Sequence, residues 1–242
     1  MKFLILSDLH SNQESLKEFI RLSETLPHDK IICLGDLVGY NANPNEIVEW
    51  VREHADLALA GNHDYAVVEK TDTRYFNPYA LKACEWTREA LTMDNFKFLQ
   101  SLPAIEKKYR ITWAHSSPFE PEEWHYITNP YDGADNFPAF DTQLCFVGHT
   151  HRPLILKQEP DGNVEAGLSD VYELEPDSRY IINVGSLGQP RDGNPQASFV
   201  SYDTDTQTVE FHRFDYDMES TQEKIHDEGL PTFLADRLSA GV

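Results

Sequence analysis

Eight residues of three chemical types recur in one sequence setting, each just past an apolar run that reads as a strand. Asp8 and His10 follow the run Phe3 to Leu6, and Asp36 follows KIICL (30–34) and Gly35. Asn62 and His63 follow DLALA (56–60) and Gly61; His115 closes ITWAH (111–115); His149 and His151 follow LCFV (144–147) and Gly148. Groups at the C-terminal ends of neighbouring strands can converge on one crevice. Carboxylates, imidazoles and one amide oxygen suit Mn, Fe, Zn, Ni or Co better than Ca, which takes oxygen only. With His63 set aside, two Asp, four His and one Asn are too many donors for one metal and about right for two ions sharing a carboxylate. Two dications held ~3.5–4 Å apart repel, so a shared anion and a shared hydroxide are needed between them.

The elements that must position these groups follow from periodicity. Residues 2–7 read as a buried strand, and Asn12 to Leu26 as an amphipathic helix with Leu16, Phe19 and Ile20 on one face. Residues 30–34 form a second strand, about 45–53 a second helix with Pro44 suited to its first turn, and 56–60 a third strand. This β-α-β-α-β order predicts parallel strands joined by right-handed crossovers, with the connecting loops at the strands' C-terminal ends. Residues 65–101 are expected to be mostly helical, broken near Asn77-Pro78, and are the candidate cap over the site. From about 104 the period shifts to strands at 104–109, 111–115, 143–147, 153–158, 171–174, 180–184, 197–203 and 208–214. The stretch 116–142 reads as a long loop with short helical pieces, of a kind that is often functional, and one or two helices, about 217–227 and 231–239, are expected at the C-terminal end. No repeat, linker or glycine-rich nucleotide fingerprint interrupts the chain, which is read as one domain over 1–242.

Composition narrows the function. With 41 acids against 20 bases, the net charge of -21 disfavours a nucleic-acid duplex, whose binding rests on Lys and Arg, and disfavours a membrane surface too. Residues 203–242 carry ten Asp/Glu against three Lys/Arg and read as a solubilising surface. Cys33, Cys84 and Cys145 lack metal-motif spacing, and Cys33 and Cys145 sit in apolar runs as small buried hydrophobes, consistent with a reducing compartment. No run reaches membrane-spanning length and the N-terminal one is too short for a signal peptide, so a soluble, cytoplasmic protein is expected.

Taken together, Asp8-Leu9-His10, Gly35-Asp36, Gly61-Asn62-His63-Asp64, His115 and Gly148-His149-Thr150-His151 resemble, in order, the motif skeleton of the calcineurin-like metallophosphoesterases. Asn183-Val184-Gly185-Ser186 and the following Gly188-Gln189-Pro190-Arg191-Asp192-Gly193 resemble the small prokaryotic, phosphodiesterase-like branch. The resemblance implies an α/β fold, a four-layer α/β/β/α sandwich with two mixed sheets packed face to face and helices outside. It implies a first metal held by Asp8, His10, Asp36 and His151 and a second by Asp36, Asn62, His115 and His149, with Asp36 bridging and Mn favoured. The implied activity is hydrolysis of a phosphodiester or phosphomonoester of a small, nucleotide-type molecule by a hydroxide that bridges the metals. A metal lowers the pKa of bound water to about 7, and the leaving alkoxide then needs a proton, a task matched to His63. Asn62 and Arg191 are the candidate substrate-binding residues.

The departures from the family are specific. Gly39 and Tyr40 stand where the protein-phosphatase branch has an Asp that orients the catalytic His and an Arg that binds phosphate. Asp64 is open to two roles, orienting His63 or capping the following helix. Arg191 could grip phosphate through two hydrogen bonds or pair with Asp192. Tyr40, Tyr65, Trp124 and Tyr126 could stack a base or simply pack. Ser116 and Ser117 have no free activating base, and His28, His54, His125, His212 and His226 lack strand-end placement. An exonuclease-like member of the same family and a metal-bound protein-interaction scaffold without catalysis are the alternatives. Oligomeric state is left open.

Overall fold

The computed structural model describes residues 1–74 and 76–242. Strand β1 (Lys2–Leu6) sits inside a six-stranded sheet, parallel to β2 (Lys30–Cys33) on one side and antiparallel to β11 (Ala197–Asp203) on the other. The two-residue period of a strand sends alternate side chains to opposite faces. Accordingly Phe3 and Ile5 join one apolar cluster while Leu4 and Leu6 join another. Beyond β2 lies β3 (Leu57–Ala58), and beyond β11 lie β12 (Thr208–Phe214) and β9 (Val171–Glu173). The β1-β2-β3 run is parallel, as the alternating pattern predicts.

A second six-stranded sheet has the order β4 (Ile105–Lys108), β5 (Ile111–Ala114), β6 (Leu144–Val147), β10 (Arg179–Asn183), β7 (Leu154–Gln158) and β8 (Val164–Gly167). Its parallel centre, β5-β6-β10, is flanked by antiparallel strands, so both sheets are mixed. Phe3, Ile5, Ile32 and Val200 of the first sheet pack with Trp113, Phe146, Tyr180 and Ile182 of the second. Burying each such side chain contributes about 1.5–3 kcal/mol.

The outer face of the first sheet is covered by α1 (Gln13–Ser23), α2 (Pro44–His54), α3 (Asn62–Val67) and α5 (Met93–Ser101) through Leu16, Phe19, Ile47, Val51, Val67 and Leu99. The second sheet is covered by α6 (Pro130–Asn136) and a 3-10 turn at Phe137–Ala139, with Phe137 and Phe140 against Cys145, Val147 and Ile181. These are the four layers implied by the resemblance, the fourth being thin.

Three details differ from the sequence reading. The third strand is only two residues long: Leu59 N–H still donates to Cys33 O, but Ala60 N–H leaves the sheet and donates to Pro103 O. Strand β8 was not foreseen: its residues are mostly exposed and show little alternation, and only pairing with β7 makes it a strand. The acidic C-terminal stretch is more than a solubilising surface. Helices α7 (Met218–Asp227) and α8 (Thr232–Ala240) keep Glu219, Glu223, Asp227, Glu228 and Asp236 exposed. Their apolar faces, through Ile225, Leu234, Ala235 and Leu238, pack with Tyr40 and with Ala80 and Ala83 of α4 (Pro78–Ala90). No helix among the described residues is long and apolar enough to cross a membrane.

Candidate metal centre

The site is built where β1, β2, β5 and β6 end, and its backbone is strained there. Asp8, His10, Asp36, His149 and His151 have φ of 55°, 46°, 50°, 65° and 59°, the left-handed region that non-glycine residues enter at a cost of about 1–3 kcal/mol each. The loops brace one another in compensation: Asp8 N–H donates to Gly35 O (3.0 Å), His10 N–H to Asp36 O (3.0 Å) and His149 N–H to the Asp8 Oδ2 carboxylate oxygen (3.0 Å). Each left-handed residue throws its side chain inward at a strand end.

Two groups of donor atoms result, each spanning no more than 4.8 Å: Asp8, His10, Asp36 and His151 in one, and Asp36, His115 and His149 in the other. Asp36 belongs to both. Its Oδ2 lies 3.5 Å from His10 Nε2 and 3.4 Å from His115 Nε2, while Asp8 Oδ1 lies 3.2 Å from His151 Nε2. All six residues are buried. Three imidazoles have their other nitrogen tied to a main-chain carbonyl: His10 Nδ1 to Val38 O (3.0 Å), His115 Nδ1 to Leu34 O (2.9 Å) and His151 Nδ1 to Gln189 O. A carbonyl only accepts, so each neutral ring carries its proton on Nδ1 and turns the Nε2 lone pair inward, as a metal ligand requires.

The donor set passes a second test of fit. Asp8 Oδ1, Asn62 Oδ1, His115 Nε2 and His149 Nε2 are buried and have no hydrogen-bond partner among the described residues. A buried polar atom left unpaired costs about 1–3 kcal/mol, and four gathered in one place fit a cation that would satisfy them together. Asn62 stands between two residues whose main chains touch Asp36: His63 N–H donates to Asp36 Oδ1 (2.8 Å), and a Cβ on Gly61 would fall 2.1 Å from that same oxygen. Only glycine lets the chain pass there.

Burial governs the electrostatics. It pushes His10 and His151 below the usual imidazole range, His63 down to about 4 and His149 down to about 3, which leaves their nitrogens neutral. Burial acts the same way on His115, but the Asp36 charge beside it wins and holds that ring at about 9. Asp36 and Asp8 are buried as well, yet His115 and His63 pull Asp36, and His151 pulls Asp8, below the ordinary carboxylate range. A bound cation would reinforce both carboxylates and displace the His115 proton.

The remaining sequence candidates take definite places. The His63 ring is 4% exposed and packed between Tyr40, Phe76 and His10, at ring distances of 4.4, 5.1 and 4.9 Å. Asp64 does not orient His63; it accepts from the main-chain N–H groups of Gly61, Leu37 and Val38 and so caps α3. Burial, then the Asp36 charge, raise its carboxyl to about 7. Arg191 makes no ion pair with Asp192, which binds Arg213 instead. The Arg191 Nε and Nη2 groups donate to Gln189 Oε1 at 3.3 and 2.8 Å, and its cation lies 5.4 Å from the Tyr40 ring centre. Tyr40, Trp124 and Tyr126 line the cavity, with Tyr126 4.2 Å from the His149 ring. Tyr65 does not line it; its hydroxyl donates to Leu102 O. Ser116 and Ser117 donate their hydroxyl protons to the main-chain carbonyls of Pro121 and Phe119.

The cavity holds about 260 Å³. Phe76, Asn77 and Ala80 at the start of α4 form part of its wall; Tyr75, in the same segment, lies outside the described residues. Asp72 and Glu123 also line it and were not singled out from sequence, where nothing in their spacing sets them apart from surface acids. Arg237 of α8, 5.8 Å from the Tyr40 ring centre, was missed for the same reason.

Two donor clusters with a common carboxylate, at the strand ends of a double-sheet sandwich, could hold metal at the floor of this cavity. Residues 1–207 match the family model of the calcineurin-like phosphoesterase superfamily domain, and the chain belongs to that superfamily. It is 40% identical over 242 residues to an uncharacterized protein of Methanocaldococcus jannaschii, covering 98% of this chain and 97% of that one. It is similar to the metallophosphoesterase of Sphaerobacter thermophilus, whose crystal structure aligns with a TM-score of 0.88 and 42% identity over 100% of this chain and 99% of that one. A hypothetical protein of Pyrococcus horikoshii OT3 shares the fold at a TM-score of 0.81 and 18% identity, over 100% of this chain and 98% of that one.

Proposed function

We propose that this protein is a binuclear metal-dependent phosphoesterase that hydrolyses small phosphorylated molecules, phosphodiesters ahead of monoesters. The observation that carries the reading is the pair of donor clusters joined through Asp36. Asp8, His10, Asp36 and His151 would hold one ion, and Asp36, Asn62, His115 and His149 the other, with Mn favoured. When bound, such ions supply Lewis acidity towards phosphate oxygens and an acidified water as nucleophile.

The chain's own residues do the rest. Asp36 supplies the negative charge that lets two cations share one site. His63, beside Asn62, faces the leaving-group oxygen and meets the charge developing there. Because burial holds its pKa near 4, the free site contains the neutral ring, whose N–H can donate a hydrogen bond to that oxygen. Arg191 has no Asp or Glu partner among the described residues and lines the cavity, so its guanidinium is free to bind phosphate.

Nucleotide-type substrates are favoured by the wall of Tyr40, Phe76, Trp124 and Tyr126 around a cavity of about 260 Å³. Such a volume admits a compact ligand, and the net charge of -21 argues against the exonuclease alternative. The scaffold alternative would use the metal ligands but leave His63, which is buried beside Asn62 and lines the cavity, without a task. We read α7 and α8, which pack on Tyr40 and α4, as part of the same catalytic domain over 1–242. The free, buried Cys33, Cys84 and Cys145 suit a reducing compartment, and we place the protein in the cytoplasm.

The test is hydrolysis of bis-p-nitrophenyl phosphate and p-nitrophenyl phosphate by purified protein, with Mn²⁺ and after chelation. Metal-dependent release of nitrophenol, larger for the diester, is expected. Full turnover by metal-free protein would sink the mechanism.

A further inference from the structure

His63 is expected to need a partner that fixes its ring, and neither sequence candidate supplies one. Asp64 is spent on three main-chain donors, and position 39 is glycine. The space at position 39 is in fact taken by the ring itself: a Cβ on Gly39, which has φ +92°, would fall 2.7 Å from His63 Nδ1. The hydrogen-bond partner of His63 Nδ1 comes from a different element. Cys84, on the inner face of α4, places its Sγ 3.6 Å from Nδ1. Among the described residues this is the thiol's hydrogen-bond partner, and Cys84 is 1% exposed.

We infer that Cys84 is the positioning residue of His63, holding its ring through an Sγ–H to Nδ1 hydrogen bond so that the neutral imidazole carries its own proton on Nε2, towards the cavity. The chemistry is one-sided. A thiol is a weak donor and a weaker acceptor, whereas an unprotonated imidazole nitrogen accepts well, so the favoured arrangement has sulfur donating. Burial pushes the Cys84 thiol far above its ordinary range, so its proton stays in place. Tyr40 and Phe76 pack tilted against the ring, and Cys84 sets which edge points where. A thiol orients the imidazole without adding a negative charge beside Asp36, which a carboxylate at that place would do.

The inference rests on the proposed role of His63, and the test separates the two. In the Mn²⁺-loaded enzyme, kcat and KM are measured for a p-nitrophenyl ester and an alkyl ester of phosphate in Cys84→Ala, Cys84→Ser and His63→Ala. In the metal-free wild type, long-range ¹H–¹⁵N correlation reads which His63 nitrogen carries the proton, assigned by loss of the signal in His63→Ala. Expected are an Nε2–H tautomer in the wild type, and about a tenfold loss of kcat for the alkyl ester in Cys84→Ala. KM should be little changed, the loss for the p-nitrophenyl ester much smaller, and Cys84→Ser, which keeps a donor, should recover most of it. Wild-type kinetics in Cys84→Ala beside a crippled His63→Ala would overturn the inference alone, as would an Nδ1–H tautomer in the wild type. Unchanged turnover in His63→Ala would overturn the role of His63, and the inference with it.

Discussion

The floor and the wall of the cavity are built by different means. The floor, Asp8, His10, Asp36, His115, His149 and His151, hangs from strand ends, is almost wholly buried, and is cross-braced by main-chain hydrogen bonds. The wall, Tyr40, Phe76, Asn77, Trp124, Tyr126 and Arg191, comes from loops and the end of one helix, and Tyr126 remains 57% exposed. Residues of the floor have little room to move, because three of its four rings are held at the far nitrogen and several main chains sit in the left-handed region. Of the wall, Tyr40 and Phe76 pack with α7 and α8, Arg191 is held by Gln189, Trp124 donates to Thr71, and Tyr126 rests on the His149 ring. The difference implies that the floor sets the reaction and the wall sets what is accepted, as rigid strand ends and variable loops do in α/β folds generally.

Substitutions should separate the two in order of size. Asp36→Asn removes the charge shared by both clusters; a loss of activity of roughly 10³-fold or more, with loss of bound metal by elemental analysis, is expected. Retained metal and turnover would show that the floor does not depend on the shared carboxylate. His63→Ala lies at the boundary: metal content should be unchanged while kcat falls by ~10²–10⁴, most for poor leaving groups. If metal is lost instead, His63 belongs to the floor as a ligand.

Wall changes should act on KM. Arg191→Gln is expected to raise it about tenfold through a lost charge-assisted hydrogen bond, with metal content intact. Tyr126→Ala should raise KM a few-fold for nucleotide esters and hardly at all for p-nitrophenyl esters, since stacking on a base is worth ~1–3 kcal/mol at most. Equal effects on both substrate types would make Tyr126 a packing residue for His149.

The legibility of the chain follows the same division. The eight polar residues at strand ends could be listed from sequence because each follows an apolar run, and a strand's direction dictates where its end lies. Gln189, Val38 and Leu34 could not, since they act on His151, His10 and His115 through main-chain carbonyls, which carry no residue-type signal. Cys84 lacks metal-motif spacing and carries no other signal in the sequence; only the tertiary fold buries it and puts it 3.6 Å from His63 Nδ1. Asp64 shows the opposite case, a helix-cap reading open in the sequence and settled by three N–H donors from two loops. Strand β8 lay beyond reach because its residues have no pattern apart from their partner.

The sequence by itself determined the alternating strands and helices of the first third, the positions of the polar residues at strand ends and the charge that argues against polyanionic partners. These depend on local periodicity and residue chemistry, which a linear string contains. Tertiary structure alone decided that two sheets bring residues as far apart as Asp8 and His151 within 3.2 Å, that an acidic tail folds back on Tyr40, and that a thiol faces His63. Those are contacts between elements distant in the chain, selected by which apolar faces bury one another, and no local pattern encodes them.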